Sequence, residues 1–277
     1  MNMTQRALAA LMLVVVSASV YAADVNCNDT NVEELRYSWR LKGGVRFLAG
    51  LVFPTNGVGN LRTTYPLGDE HAVHSELLIT APNGKKGGFY SYESDMDDRD
   101  ARTLVTEHGY AWGKKSRSER TIFDYVKRLA RIRKQTPEEV ENRVKALPPD
   151  QQQTRDILTA IYFMRRNAHT LNAPLHTSIY SDGKEYPVIF KPAAKNTTLT
   201  IAGRQVPVKE FSIVDAPGGK KWQGGVKVWL SADERRLPVR IEIQQSIAAM
   251  QLDLQSVESC AYPERIAALT PSRLSAR

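Results

Sequence analysis

Residues 227–243 read KVWLSADERRLPVRIEI: two alternating runs of branched and aromatic residues on either side of a charged knot, the second run opening on a proline. In an extended chain, successive side chains point to opposite faces, so a period of two sorts them onto two sides. Val226, Val228 and Leu230 then share a face in one strand, and Val239, Ile241 and Ile243 in the next. SADERR is the turn between them, and Pro238 stands at the first position of a strand, where a missing N–H is tolerated. The next run repeats the signature, with Met250, Leu252 and Leu254 opposite Gln251, Asp253 and Gln255. One buried and one wet face in consecutive strands predict an antiparallel sheet.

The same pattern holds through most of the chain. HSELLITA (74–81) sets Ser75, Leu77 and Ile79 against His74, Glu76 and Leu78, and GGFYSYES (87–94) behaves likewise. In TLVTEHGYAW (103–112), Leu104, Thr106, His108, Tyr110 and Trp112 share a side. SIYSDGKEYPVIF (178–190) has Asp182 and Gly183 at its centre, a pair suited to a type I′ hairpin because both central residues take positive φ.

Helical periodicity is confined to the middle. TPEEVENRVKAL (136–147) offers Thr136 as an N-cap, Pro137 at the first helical position and two acids in the first turn, with Pro148 and Pro149 as the stop. A second helix, roughly Gln152 to Arg166, places Ile157, Leu158, Ile161, Tyr162 and Met164 on one stripe, which needs an apolar surface such as the concave side of the sheet. Arg165 and Arg166 suit its C-terminal dipole, and one of them is a candidate partner for a carboxylate such as Asp182. The fold expected is mostly β (α+β): a curved antiparallel sheet packed around one or two helices.

The N-terminus, MNMTQRALAALMLVVVSASVYAAD, has Arg6 before an apolar stretch from Ala7 to Val20 and small residues at Ala22 and Ala23, the pattern of a cleaved secretory signal. The stretch is short of the roughly 20 residues of a spanning helix. Residues 1–23 are therefore expected to be a signal peptide, 24–262 one β-rich domain and 263–277 a loose tail, with the mature protein in the periplasm. Cys27 and Cys260 are the two cysteines, and in an oxidising compartment they are expected to form a disulfide between the ends of the domain.

The formal charge of +8 favours anionic lipid headgroups or cell-wall polymers once cytosolic nucleic acid is set aside by export, although simple solubility explains it as well. The run KRLARIRK (127–134) supplies Lys127, Arg128, Arg131, Arg133 and Lys134 as candidate headgroup contacts, against the alternative of a solvated strand end. No cofactor or metal is expected. His71 and His74 fall on opposite faces of a strand, Asp95, Asp97, Asp98 and Asp100 lack the glycine and glutamate of a calcium loop, and no G-x-S-x-G or H-E-x-x-H occurs.

LRYSWRLKG (35–43), DILTAIYFMRR (156–166), IYSDGKEYPV (179–188) and GGVKVWLSADERRLPVRIEI (224–243), in that order, resemble the bacterial exported family catalogued as domain of unknown function 3108, over roughly residues 33 to 258. The last of these is also similar, more distantly, to strands of periplasmic lipoprotein carriers and envelope β-spiral proteins. That resemblance implies an open half-barrel curled around a helix, with an apolar cavity able to hold acyl chains. Trp39, Trp112, Tyr162 and Trp229 are then candidate lining residues, and VRFLAGLVFP (45–54), with Phe47, Leu51 and Phe53, a candidate lip; ordinary core packing is the competing reading for both. The function expected is non-enzymatic binding of a hydrophobic or lipid-like envelope component in support of envelope integrity. Docking of another envelope protein and hydrolysis of lipid or cell-wall substrates are the alternatives.

Overall fold

A computed structural model describes residues 31–43, 54–66, 71–81, 88–147, 154–218, 221–222, 225–244 and 249–259. Residues 1–23, expected to be a signal segment, and Cys27, Cys260, Phe47, Leu51 and Phe53 lie outside the described residues. Eight strands come first: β1 (Val32–Lys42), β2 (Asn56–Thr64), β3 (Ala72–Thr80), β4 (Gly88–Asp97), β5 (Arg102–Trp112), β6 (Lys115–Asp124), β7 (Leu129–Gln135) and β8 (Val140–Ala146). Helix α1 (Ile157–Asn167) follows, then β9 (Leu175–Ser181), β10 (Lys184–Pro192), β11 (Thr197–Ile201), β12 (Arg204–Asp215), β13 (Val226–Ser231), β14 (Pro238–Gln244) and β15 (Ala249–Ser259).

The strands form one open sheet in the order β8-β7-β6-β5-β4-β3-β2-β1-β15-β14-β13-β12-β10-β9, with β11 paired to β12 off that path. All ladders between named strands are antiparallel, and β15 returns from the end of the described chain to pair with β1. The described residues are thus mostly β, an uncurtailed antiparallel sheet around one helix. No helix among them is long and apolar enough to cross a membrane.

The deciding stretch folds as two neighbouring strands. Val226 pairs with Ile243 and Val228 with Ile241, and Ile241 pairs in turn with Leu252, so the apolar residues of β13, β14 and β15 form one continuous buried layer. Pro238 opens β14, and its carbonyl accepts a 2.8 Å hydrogen bond from the buried Tyr37 hydroxyl of β1. The Asp182–Gly183 turn takes φ of 50° and 69°, joining β9 to β10 as the type I′ reading requires.

Residues 136–147 are not a helix. Thr136 does gather backbone donors, its Oγ1 accepting from Glu138 N and Glu139 N at 3.3 and 3.1 Å, but it closes a tight turn from β7 into β8. VENRVKA then pairs residue by residue with β7, from Gln135↔Val140 to Leu129↔Ala146. Val140 and Val144 are four apart, a spacing that shares a face in a helix and in a strand alike, and the free edge of β7 decides between them.

Helix α1 starts five residues later than the periodicity suggests, because the preceding backbone is already engaged. Thr103 N donates to Thr154 O and Tyr180 N to Arg155 O, so the segment stitches β5 to β9 before the chain coils. Asp156 then caps the helix, accepting from Thr159 N at 2.8 Å and from the Ser94 hydroxyl. The stripe of Leu158, Ile161 and Met164 fills the hollow of the sheet and joins Tyr37, Leu77, Phe190, Phe211 and Leu252 in the main core. At the other helix end Arg165 meets Glu33 of β1 rather than Asp182, in a buried two-bond pair of 2.7 and 3.0 Å.

The free ends of the sheet curl toward each other without forming a ladder. Tyr180 of β9 lies edge-on to Phe123 of β6 at 4.9 Å, its hydroxyl is 3.1 Å from Thr121 Oγ1, and Lys145 of β8 donates to Gly183 O. The β9–β10 hairpin therefore rests across the inner face of β5 to β8.

Candidate binding cleft

Between that hairpin and the start of α1 the sheet leaves a cleft of about 540 Å³. Tyr92 and His108 line its floor, two members of a cross-strand row on the inner face in which Leu77 pairs with Tyr92, Tyr92 with His108, His108 with Glu119 and Glu119 with Lys134. Tyr186 and Lys184 of the hairpin, Ile157 of the helix, and Trp222 with Ile243 complete the walls. A size in the range of 300–1,000 Å³ is that of small-molecule sites, in which an apolar surface grips the ligand and a few polar groups orient it.

Polar groups line it from several elements, among them Glu93, His108, Asp156, Asp182, Lys184 and Gln244. Asp182 Oδ1 lies 3.3 Å from His108 Nε2 and 3.7 Å from Arg117 Nη2, and the His108 hydrogen bond chiefly holds the Asp182 carboxyl below its ordinary pKa. The His108 ring stacks on Tyr92, 6.3 Å between centroids, and burial pushes the Tyr92 phenol up to about 12, so it remains a neutral donor at physiological pH. Burial also raises the capping Asp156, whose surroundings are the hydroxyls of Ser94, Thr103 and Thr159.

A family model described as "Protein of unknown function (DUF3108)" matches residues 69–255, more than half of the chain. The chain belongs to the DUF3108 family. Strands β1 and β2 precede the matched segment, while both the hairpin and α1 lie within it. No curated protein matches the chain. Among solved structures, a beta-barrel-like protein of domain of unknown function DUF1849 from Brucella abortus matches with a TM-score of 0.53 and 8% identity, over 83% of this chain and 98% of that one. This likeness is one of fold alone. The hypothetical lipoprotein YmcC from Escherichia coli (TM-score 0.31, 10% identity, 92% and 99% coverage) and the lipoprotein LppX from Mycobacterium tuberculosis (0.24, 12%, 81% and 86%) are more distant in shape.

In this DUF3108 protein Trp39, Tyr162 and Trp229 are not among the residues that line the cleft. Trp39 is 7% exposed in the main core, and its Nε1 donates to Thr80 O at 2.7 Å across Gly57, where a Cβ would collide with both atoms. Trp229 is in the same core, with Arg240 5.9 Å from its ring, and Tyr162 packs with Tyr65, Val73 and Met96 in a smaller cluster behind the helix. Trp112 ends β5. Within the basic run, Arg131 and Arg133 point outward from β7, Arg128 sits in the β6–β7 turn at φ 55°, and Lys127 pairs with Asp124. Lys134 instead turns inward, 2.9 Å from Glu119. Glu119 and Tyr92 escaped the sequence reading, although KSRSERTIFD places Glu119 on the same face as Thr121 and Phe123. A charge at an inward position of an alternating strand was the available signal.

Proposed function

We propose that this protein is exported to the periplasm and there binds, without catalysis, a small amphiphilic component of the cell envelope in the cleft between α1, β4–β5 and the β9–β10 hairpin. The cleft carries the reading: a recess large enough for a ligand, with Tyr92, Tyr186, Trp222, Ile157 and Ile243 as its gripping surface and His108, Asp182 and Lys184 as its orienting groups. Most of the hollow inside the sheet is filled by α1, so the guest is a compact molecule, or one end of a longer one, lying at the mouth rather than along the axis. Export is supported by the sequence of residues 1–23.

Displacement of a solvatochromic hydrophobic dye tests this. Tyr186→Ser combined with Trp222→Ser should weaken dye binding about tenfold, the loss of roughly 1.4 kcal/mol of contact, while the cooperative unfolding transition is retained. Equal dye affinity in the folded double variant would remove the cleft from the account.

A further inference from the structure

The row of inner-face residues ends where the tip of the β9–β10 hairpin touches it. One donor atom each from His108 of β5, Glu119 of β6 and Asp182 of the turn lies within 4.8 Å of the other two. Three separate chain segments thus bring metal-ligand side chains to one point.

Glu119 is 1% exposed, and a carboxylate so placed needs both oxygens satisfied, since a stranded buried acceptor costs about 1–3 kcal/mol and a charged one more. Lys134 Nζ and Arg117 Nη2 both address Oε2, at 2.9 and 3.6 Å. They do so as ion pairs outside hydrogen-bonding geometry, and Oε1 has no hydrogen-bond partner. Oε1 lies on the hairpin side, 3.7 Å from where a Cβ on Gly183 would stand. A buried lone pair is therefore left facing the place where His108 Nε2 and Asp182 Oδ1 converge.

The geometry points to a divalent transition-metal site made by His108 Nε2, Glu119 Oε1 and Asp182 Oδ1. One imidazole and two carboxylates form a borderline donor set that suits Zn²⁺, whereas Ca²⁺ and Mg²⁺ take oxygen ligands alone. Three protein ligands leave a fourth position, and because His108 and Asp182 both line the cleft, that position opens on it. The ion would stand between His108 and Asp182 in place of their direct contact. Lys134 would remain on the outer oxygen of Glu119, orienting it as outer partners orient ligating carboxylates, while Arg117, which also lies 3.7 Å from Asp182 Oδ1, would give up that contact to the ion. Their positive charges oppose a dication, which sets the affinity below that of a closed structural zinc site. The site does not depend on which guest fills the cleft.

Chelator-stripped full-length protein titrated with ZnCl₂ by calorimetry, with bound zinc counted by mass spectrometry after dialysis, tests the assignment. One zinc per chain is expected. His108→Ala and Asp182→Asn should each weaken binding at least tenfold, and His74→Ala, at the separate His74–Asp95 pair, should leave it unchanged. Asn tolerates the left-handed φ of 50° at position 182, so Asp182→Asn keeps the turn and decides the matter should His108→Ala fail to fold. No retained zinc in the unmodified chain, or zinc held equally well by Asp182→Asn, would overturn the site.

Discussion

Arg165 shows how a single side chain can fix the position of the helix. Its guanidinium, buried with Glu33, also donates to the carbonyls of Arg235 and Arg236, so one residue of α1 holds β1 and the β13–β14 turn together. A buried pair contributes little over a well-packed apolar replacement, but removing one partner strands the other charge. Glu33→Gln should therefore lower stability by about 3–5 kcal/mol in urea unfolding, and the double change Glu33→Leu with Arg165→Met should recover most of that loss. Recovery failing in the double variant would show that the carbonyl contacts of Arg165, not the ion pair, carry the clamp. The sequence displayed a basic helix end but not its partner: Glu33 lies 132 positions away, and no local rule connects them.

At the scale of elements, what the sequence disclosed depended on whether a pattern had one physical solution. The Asp182–Gly183 hairpin was legible because few residue pairs take positive φ at both central positions. VENRVKA was not, since its spacing of apolar residues satisfies helix and strand equally and almost none of it is buried; Val144 is 66% exposed. The β11–β12 hairpin was also missed, because its turn is Ala202–Gly203, with the alanine at φ 47°. Alanine has no side-chain group to relieve that conformation, whereas Asn and Gly adopt it readily. Ala202→Asn, at an exposed position, should raise the stability by up to about 1 kcal/mol in denaturant titration. A destabilised variant would mean that the two-residue turn is not formed in solution.

For the whole molecule, strand alternation fixes a sheet with one buried face but says nothing about how far that sheet curls. The curl comes from pairings between distant segments: β15 with β1, the Thr154–Asp156 segment between β5 and β9, and the β9–β10 hairpin laid across β5 to β8. These contacts create the cleft, and for that reason its lining residues were visible in the sequence only as scattered inward positions such as His108. They also place Trp39 and Trp229 in the core and leave Tyr92, Tyr186, Trp222 and the hairpin tip to face the cleft. Native mass spectrometry of the protein purified gently from its native host, paired with extraction of whatever it releases, tests the central claim most directly. The account predicts a stoichiometric mass increment from one amphiphilic small molecule, diminished when Tyr186 and Trp222 are both changed to serine. A bare polypeptide mass, with no small molecule recovered from the native preparation, would contradict it.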